Sequence, residues 1–123
     1  MMKHCMVVDD SDVIRKVART FLERLGYSVS EASTGEEALS QAESAMPDIV
    51  LMDWMMPGTP PIDAIEQLRR IKGGRDTVVV YMTTENDERD IARAKLAGAN
   101  EVLLKPFDRV SFEGKINEIA RFN

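Results

Sequence analysis

The 123-residue sequence contains one cysteine, one histidine and one tryptophan, and it lacks any long apolar run. A single cysteine, Cys5, allows no internal disulfide bond, which fits a reducing compartment. No stretch approaches the roughly 18 apolar residues that a membrane span requires. The apolar run ahead of Asp9 is also too short for a secretory signal peptide. These absences predict a cytoplasmic protein without a membrane span.

Basic residues are fewer than acidic residues in this sequence. Lysine and arginine number 16 against 21 aspartate and glutamate residues, so the formal net charge is −5. Nucleic acids and anionic membranes are bound through basic surfaces, so we expect neither as a direct partner. The length, the 44% apolar fraction and the 30% charged fraction are those of a globular domain. With no repeat or linker, the sequence predicts a single domain over residues 1–123 without an output domain, and we expect a monomer.

Short apolar runs alternate with patterns of helical period. Four runs lack polar alternation, which is typical of strands buried on both faces of a parallel sheet; they cover residues 5–8, 48–52, 77–82 and 101–104. A fifth run, residues 27–32, alternates and predicts a strand nearer an edge. Helices are predicted over residues 12–25, from Thr34 to before Pro47, and over 61–72, 86–97 and 108–121. This order predicts an α/β fold: a (βα)5 doubly wound, five-stranded parallel sheet of flavodoxin-like type.

Chemically active residues stand at the ends of four of the five predicted strands. The first strand ends in Asp9 and Asp10, the third in Asp53, the fourth in Thr83 and Thr84, and the fifth in Lys105 and Pro106. Parallel sheets of this kind bind ligands beyond the carboxyl ends of their strands. We therefore expect three carboxylates, a hydroxyl group and an ammonium group in one crevice.

The three carboxylates need a counter-charge. Two unit charges about 4 Å apart repel by about 4 kcal/mol at an effective dielectric constant of about 20. A divalent cation removes this repulsion, and hard oxygen ligands with water completing the shell suit Mg²⁺. Because such a metal typically completes its shell with water and substrate phosphate, the cluster predicts phosphoryl chemistry.

Each residue type indicates a role in that chemistry. A carboxylate oxygen can attack phosphorus to form an acyl phosphate, and Asp53 at the centre of the set is the predicted nucleophile. Asp9 and Asp10 are predicted to hold Mg²⁺, Asp10 more directly. Lys105 supplies a point charge for one phosphoryl oxygen, and Thr83 can donate to another. Each residue alone is more often structural, so the prediction depends on their joint occurrence at the strand ends.

Five segments make the sequence resemble the receiver domain of two-component response regulators over essentially its whole length. They are VVDDS (7–11), DIVLMDWMMP (48–57), MT (82–83), AGANE (97–101) and LKPF (104–107). The expected lack of an output domain and the Asp53-Trp54 pair are similar to the chemotaxis regulators of that family. The resemblance implies that Asp53 accepts a phosphoryl group from a histidine kinase or a phosphotransfer protein. It also implies a chain that catalyses only its own phosphorylation and dephosphorylation and is not otherwise an enzyme.

The resemblance also implies the ligands of the metal. Mg²⁺ would be bound by Asp10, Asp53 and the backbone carbonyl of Met55, with Asp9 acting partly through water. Lys105 would pair with the phosphoryl group once it is attached to Asp53. The signal would then be read by a target protein that the sequence does not name.

The switch that follows phosphorylation has one unusual position. In the family, the threonine after the fourth strand moves toward the phosphoryl group, and an aromatic ring on the fifth strand turns inward with it. Thr83 occupies the threonine position, but Val102 occupies the aromatic position and has no ring. The resemblance implies a cis peptide bond before Pro106 that aims Lys105 into the site. The target is expected to bind the face made by the fourth helix, the fifth strand and the last helix.

Further departures from the family pattern surround the site. Thr59-Pro60-Pro61 replaces the usual glycine-containing turn, and its prolines predict a stiffer start of the third helix. Thr84 stands where a smaller residue is common and should narrow access to the phosphoryl group. Met55 and Glu85 occupy positions that tune the rate of dephosphorylation in the family.

Three other functions share parts of this pattern. A pseudo-receiver binds a protein or a nucleotide second messenger without phosphorylation. Val102 and Thr59-Pro60-Pro61 favour it slightly, but it does not need three repelling carboxylates. An aspartyl-phosphate phosphotransferase or phosphatase usually carries Asp-x-Asp, and Asp53-Trp54-Met55 lacks the second aspartate. A flavodoxin-like cofactor binder would have a first loop rich in serine, threonine and glycine, where this chain has Asp9-Asp10.

Several other residues are predicted to be structural. Those expected in the first strand are His4 and Cys5, and Trp54 is expected in a partly exposed loop. Those expected at a solvated helix end, where the helix dipole favours positive charge, are Arg69, Arg70, Lys72 and Arg75. On the first helix, the face expected to be buried includes Val13, Val17 and Phe21.

Overall fold

The computed structural model describes residues 3–84 and 87–121, in which strands and helices alternate five times. The strands are β1 (His4–Val8), β2 (Ser28–Ala32), β3 (Ile49–Asp53), β4 (Val78–Thr83) and β5 (Glu101–Leu104). The helices are α1 (Asp12–Arg24), α2 (Gly35–Ser44), α3 (Pro61–Arg70), α4 (Glu88–Ala97) and α5 (Arg109–Arg121). All strands pair in parallel in the order β2-β1-β3-β4-β5, which confirms the predicted doubly wound (βα)5 fold.

The inner strands are buried on both faces, which explains their continuous apolar sequences. Successive residues of β1, β3 and β4 enter two separate hydrophobic clusters, one on each side of the sheet. Helices α2, α3 and α4 cover one side, and α1 and α5 cover the other. Strand β2 lies at an edge, as its alternating sequence predicts, and Ala32 is its one fully buried residue.

Polar side chains cap α1, α2, α4 and α5 at their first turns. Ser11 Oγ accepts a hydrogen bond from the backbone N–H of Ile14 (3.2 Å), and Thr34 Oγ1 accepts one from Glu37 (3.1 Å). The carboxylate of Asp87 accepts bonds from the backbone N–H groups of the second and third residues of α4 in the same way. Such caps satisfy N–H groups that have no partner within the helix. They start α1, α2 and α4 close to the strand ends, so the loops that carry the polar residues are short.

The sequence-based bounds differ slightly from the structure. Asp53 and Thr83 end β3 and β4 as predicted, one residue beyond the apolar runs 48–52 and 77–82. The predicted fourth helix begins at Asn86, which lies outside the described residues, as does Glu85; α4 is described from Glu88. These shifts leave both site residues at the carboxyl edge of the sheet.

The buried face of α1 is centred on smaller residues than predicted. Ala18 and Leu22 are fully buried, and Phe21 packs partly buried against the same cluster, as expected. Val13 is 69% exposed, so its predicted place on the buried face is wrong. Val13 lies in the first turn of α1, whereas the buried residues of this helix, Ala18 and Leu22, lie in its later turns.

Arg69 is not part of a solvated helix end, and that prediction is wrong for this residue. Its guanidinium donates to the backbone carbonyls of Gly74 (2.6 Å), Thr77 (2.5 Å) and Gly98 (3.2 Å), and to Asn100 Oδ1 (2.8 Å). Carbonyl groups at helix ends lack partners within the helix, and a guanidinium offers five donors in a fixed plane. Arg69 therefore joins the end of α3 to the end of α4.

The other structural predictions hold. Cys5 is fully buried, His4 lies in β1, and Trp54 is half-buried in the loop after β3. Arg70 is exposed, as are the two other basic residues near it, Lys72 and Arg75. Among the described helices, none combines the length and the apolar character that crossing a membrane requires.

Leu51→Ala should lower the free energy of unfolding by about 2–5 kcal/mol, because it empties a fully buried position on the central strand β3. The matched control is Leu96→Ala on α4, where the leucine is 88% exposed and the change should stay within about 0.5 kcal/mol. Urea unfolding followed by circular dichroism measures both variants. Equal losses in the two would contradict the described core.

Candidate functional site

The predicted site residues converge at the carboxyl edge of the sheet. One carboxylate oxygen from each of Asp9, Asp10 and Asp53 lies within 4.8 Å of the other two. Asp9 directly follows β1, and Asp53 ends the adjacent strand β3. Asp9 and Asp53 are buried, at 1% and 4% exposure, whereas Asp10 is exposed. The cluster thus has two buried carboxylates and one that is exposed to solvent.

Asp9 is held in position by contacts from β2, from the loop residue Ser11 and from α1. Its backbone N–H donates to the Ala32 carbonyl at the end of β2 (3.1 Å), and its Oδ1 accepts from the backbone N–H of Ser11 (2.9 Å). The Arg15 side chain donates from α1 to the Asp9 carbonyl (2.6 Å) and to Glu31 on β2 (3.1 Å). Arg15 was not predicted as a residue of the site, because its only signal in the sequence is a basic side chain in the first turns of α1. Its contact fixes the loop that carries two of the three carboxylates.

Lys105 links the acidic residues from the other side. Its Nζ lies 2.6 Å from Asp9 Oδ2 and 2.8 Å from Asp53 Oδ1, and its side chain is 12% exposed. Its backbone N–H donates to the Thr83 carbonyl (2.8 Å), which ties the residue after β5 to the end of β4. The peptide bond between Lys105 and Pro106 is cis, as the resemblance to receiver domains implies.

The charges of this cluster do not balance, because three carboxylates face one ammonium group. Burial raises the pKa of Asp53; the hydrogen bond from Lys105 lowers it, and the charges of Asp9 and Asp10 raise it further, so the net shift is upward. Burial alone would lower the pKa of Lys105, but its hydrogen bonds to Asp53 and Asp9 outweigh burial and raise it. The neighbouring carboxylates contribute to the upward shift of the pKa at both residues, and such an excess of negative charge favours the binding of a cation.

The remaining predicted residues lie around this cluster. Thr83 is buried at the end of β4, and Thr84 is exposed immediately after it. Met55 is 61% exposed in the loop after β3. Val102 lies on β5 opposite Tyr81 of β4, in register. The roles of Thr83, of Thr84 in narrowing access and of the Met55 carbonyl stay predictions.

Glu36 is a second residue whose role near the site was not predicted from the sequence. Its Oε1 accepts a hydrogen bond from the backbone N–H of Thr59 (3.0 Å), which connects α2 to the loop between β3 and α3. Gly58 has a φ of +86°, and a Cβ there would lie 2.7 Å from the Glu36 carboxylate. Pro60 precedes α3 and Pro61 begins it, without a side-chain cap. Glu36 and the two prolines together hold the loop that also carries Met55.

The donor set fits a divalent metal ion. Three carboxylate oxygens at this spacing are hard ligands, and an exposed Asp10 leaves one side of the cluster open for water or a ligand oxygen. The residual negative charge is the electrostatic reason for such an ion to bind. Softer metals would be expected to recruit cysteine or histidine, and the chain's Cys5 and His4 lie in β1, at the start of the strand, away from its carboxyl end.

The site lies between β1 and β3, where the strand order reverses, the usual ligand position in a doubly wound sheet. The fold and the site together define an α/β domain with an acidic cluster, able to hold a metal ion, where the strand order reverses. The response regulator receiver domain matches residues 5–117 of the chain. The chain belongs to this family, which confirms the predicted resemblance.

Curated relatives include transcriptional regulators. The phosphate regulon transcriptional regulatory protein PhoB of Escherichia coli K12 is 33% identical over 121 residues, which is 98% of this chain and 53% of that protein. The transcriptional regulatory protein ResD of Bacillus subtilis is 37% identical over 102 residues, which is 83% of this chain and 41% of that protein. The chain thus spans about half the length of the curated relatives it matches.

Solved structures agree with the fold over nearly the whole chain. The chemotaxis response regulator CheY4 of Vibrio cholerae superposes with a TM-score of 0.92 at 28% identity, covering 97% of this chain and 99% of that one. A BeF3-activated DrrB receiver domain superposes with a TM-score of 0.86 at 25% identity, covering 98% and 99%. The chain is therefore similar in structure to receivers along their full length.

Asp53→Asn should stabilise the fold when divalent cations are absent. The variant removes one of three repelling carboxylates while Lys105 keeps Asp9, so we expect a gain of about 1 kcal/mol near about pH 7. Because the pKa of Asp53 is raised on folding, the native chain loses stability as the pH rises above the ordinary value of 3.8. The asparagine variant lacks this loss, so its gain should shrink toward about pH 4.

Urea unfolding in a chelating buffer, at several pH values, measures this effect. The matched control is Asp76→Asn, an exposed aspartate in the loop before β4, which should change stability by less than about 0.5 kcal/mol. A loss of stability in Asp53→Asn that is constant across the pH range would show that the cluster carries no excess of repulsion.

Proposed function

We propose that this receiver domain accepts a phosphoryl group on Asp53 from a histidine kinase or a phosphotransfer protein. It then signals through a phosphorylation-dependent interaction with a target protein. The observation that carries the proposal is Lys105 Nζ, placed 2.8 Å from Asp53 Oδ1 at the centre of an acidic cluster. A carboxylate with an adjacent cation and a metal-type donor set is suited to accepting a phosphoryl group.

Mg²⁺ is the proposed metal of the site. Asp9, Asp10 and Asp53 would hold it, together with the backbone carbonyl of Met55. When bound, Mg²⁺ supplies positive charge that offsets the carboxylates and the oxygens of the incoming phosphoryl group. The number of carboxylates supports this assignment, because Mg²⁺ is typically held by few protein oxygens and by phosphate.

The transfer itself exchanges one bond for another. An Asp53 carboxylate oxygen attacks the phosphorus atom of a phosphohistidine, and the new O–P bond forms as the N–P bond breaks. The histidine nitrogen keeps the electron pair of the broken bond. Lys105 Nζ passes from the carboxylate to one phosphoryl oxygen, and the hydroxyl of Thr83 donates to another. Neither residue takes up or releases a proton in this step.

The proposed signal is a change in the populations of two arrangements. Phosphorylation adds negative charge and acceptor oxygens at Asp53, and these are satisfied best in one arrangement of the loop after β4. Apolar residues are exposed on the face predicted for the target: Leu96 on α4, Leu104 on β5 and Val110 on α5. Exposed apolar residues on neighbouring elements support a protein partner at that face.

The remaining expectations belong to the same proposal. They are a cytoplasmic location, a monomeric state, and no catalysis beyond the chain's own phosphorylation and dephosphorylation. The net charge of −5 supports the expectation that this chain does not bind nucleic acid directly.

Incubation with acetyl phosphate followed by intact mass measurement tests the proposal. The native chain should gain the mass of one phosphoryl group when Mg²⁺ is present and none when it is chelated. Asp53→Asn should gain none, because the attacking oxygen is gone.

The matched control is Asp76→Asn, which should be phosphorylated like the native chain, since Asp76 lies in an exposed loop. A folded native chain that gains no mass in either condition would overturn the proposal. That result would favour a pseudo-receiver that binds its partner without phosphorylation.

A further inference from the structure

Tyr81 brings an aromatic ring close to the position where the receiver family carries its switch aromatic. Val102 of β5 has no ring, but its partner in the β4–β5 register is Tyr81. Tyr81 is 1% exposed and belongs to the cluster on the α2, α3 and α4 side of the sheet. Residues in register face the same side of a sheet. An aromatic ring is therefore present on this side of the sheet, but on β4, the strand next to β5 toward the centre of the sheet.

The hydroxyl group of Tyr81 contacts α4 directly. It donates a hydrogen bond to Asp90 Oδ2 at 2.9 Å. Asp90 lies in the first turn of α4, and its backbone N–H donates a hydrogen bond to the carboxylate of the capping Asp87. A bond to a carboxylate is charge-assisted and stronger than one between neutral groups. One side-chain pair thus joins the interior of β4 to the beginning of α4.

Tyr81 is also close to the phosphoryl site. It precedes Thr83 by two residues on β4, so the two side chains face the same side of the sheet. Burial and the neighbouring Asp90 raise the pKa of the Tyr81 hydroxyl, and the charge of Asp53 raises it further. The phenol therefore stays protonated as a donor and lies within the electrostatic field of Asp53.

The opposite end of α4 is held by a separate set of contacts. Arg69 donates to the carbonyl of Gly98, which caps the helix, and to Asn100 Oδ1 just before β5. Ala94 is fully buried against the sheet. Because these contacts hold the second half of α4, a displacement of the helix is expected mainly in its first turn, where Asp90 lies.

We propose that Tyr81 and Asp90 are a positioning pair that couples the state of Asp53 to the first turn of α4, in place of a ring at position 102. This coupling rests on the proposed function. A rearrangement of β4 at Thr83 moves the Tyr81 hydroxyl relative to Asp90, and the hydrogen bond transmits the change to α4. The apolar face that includes Leu96 then changes its position or its mobility.

Amide hydrogen exchange of α4, measured by mass spectrometry on the full chain, tests the coupling. Beryllium fluoride with Mg²⁺ serves as the phosphoryl mimic, and the emission of Trp54 beside Asp53 verifies saturation in every variant. In the native chain, the mimic should change exchange in the first turn of α4 by about fivefold, the factor that corresponds to one hydrogen bond. In Tyr81→Phe, which lacks only the hydroxyl, the change should fall below about twofold.

Two further variants make the test specific. Asp90→Ala removes the same hydrogen bond from the α4 side without altering the β4 core, and it should lose the response as Tyr81→Phe does. Tyr27→Phe is the matched control, since Tyr27 precedes the edge strand β2, and it should respond like the native chain. Failure of the native chain to bind the mimic would overturn the proposed function and the coupling with it. Saturation by the mimic with a native-like α4 response in Tyr81→Phe and Asp90→Ala would overturn the coupling alone.

Discussion

The two hydrogen bonds from Lys105 Nζ, to Asp9 and to Asp53, are the interaction on which the site depends. They join the ends of β1, β3 and β5 across a cluster in which three carboxylates face one ammonium group. Burying such an excess of charge opposes folding unless a further cation is bound. The same imbalance makes the cluster attractive to a divalent metal ion, and only with that ion is it suited to an anionic phosphoryl group. The excess of negative charge that destabilises the fold at this edge of the sheet is therefore the same property that suits the site to a metal ion.

The two edges of the sheet hold α4 in different ways. At the edge away from the acidic cluster, Arg69 makes several hydrogen bonds to carbonyl groups where α3 and α4 end. At the other edge, a side-chain hydrogen bond from Tyr81 to Asp90 joins β4 to the first turn of α4. A helix whose carboxyl end is fixed by several hydrogen bonds can respond at its first turn to a change at the site without losing its core packing. This asymmetry gives α4 a physical basis for acting as the reporting element.

The fold was predictable because burial on both faces leaves a direct mark on sequence, in apolar runs such as residues 48–52. The site was predictable because parallel strands bring their carboxyl ends together, so Asp9, Asp53 and Lys105 had to converge. Arg69 and the Tyr81–Asp90 pair could not be found in this way, because periodicity does not show which distant polar group a long side chain will reach. The exposure of Val13 was missed for a related reason: a helical pattern defines a face but not how far the sheet extends beneath it.

The free energy of unfolding with and without Mg²⁺ tests the central claim, that excess negative charge at Asp9, Asp10 and Asp53 is what the metal relieves. At free Mg²⁺ a hundredfold above its measured dissociation constant, the native chain should gain about 2.7 kcal/mol over the chelated protein. Asp10→Asn, which removes the exposed ligand and leaves the Lys105 contacts in place, should lose most of this gain at the same concentration. A native chain whose stability does not change with Mg²⁺ would contradict the account.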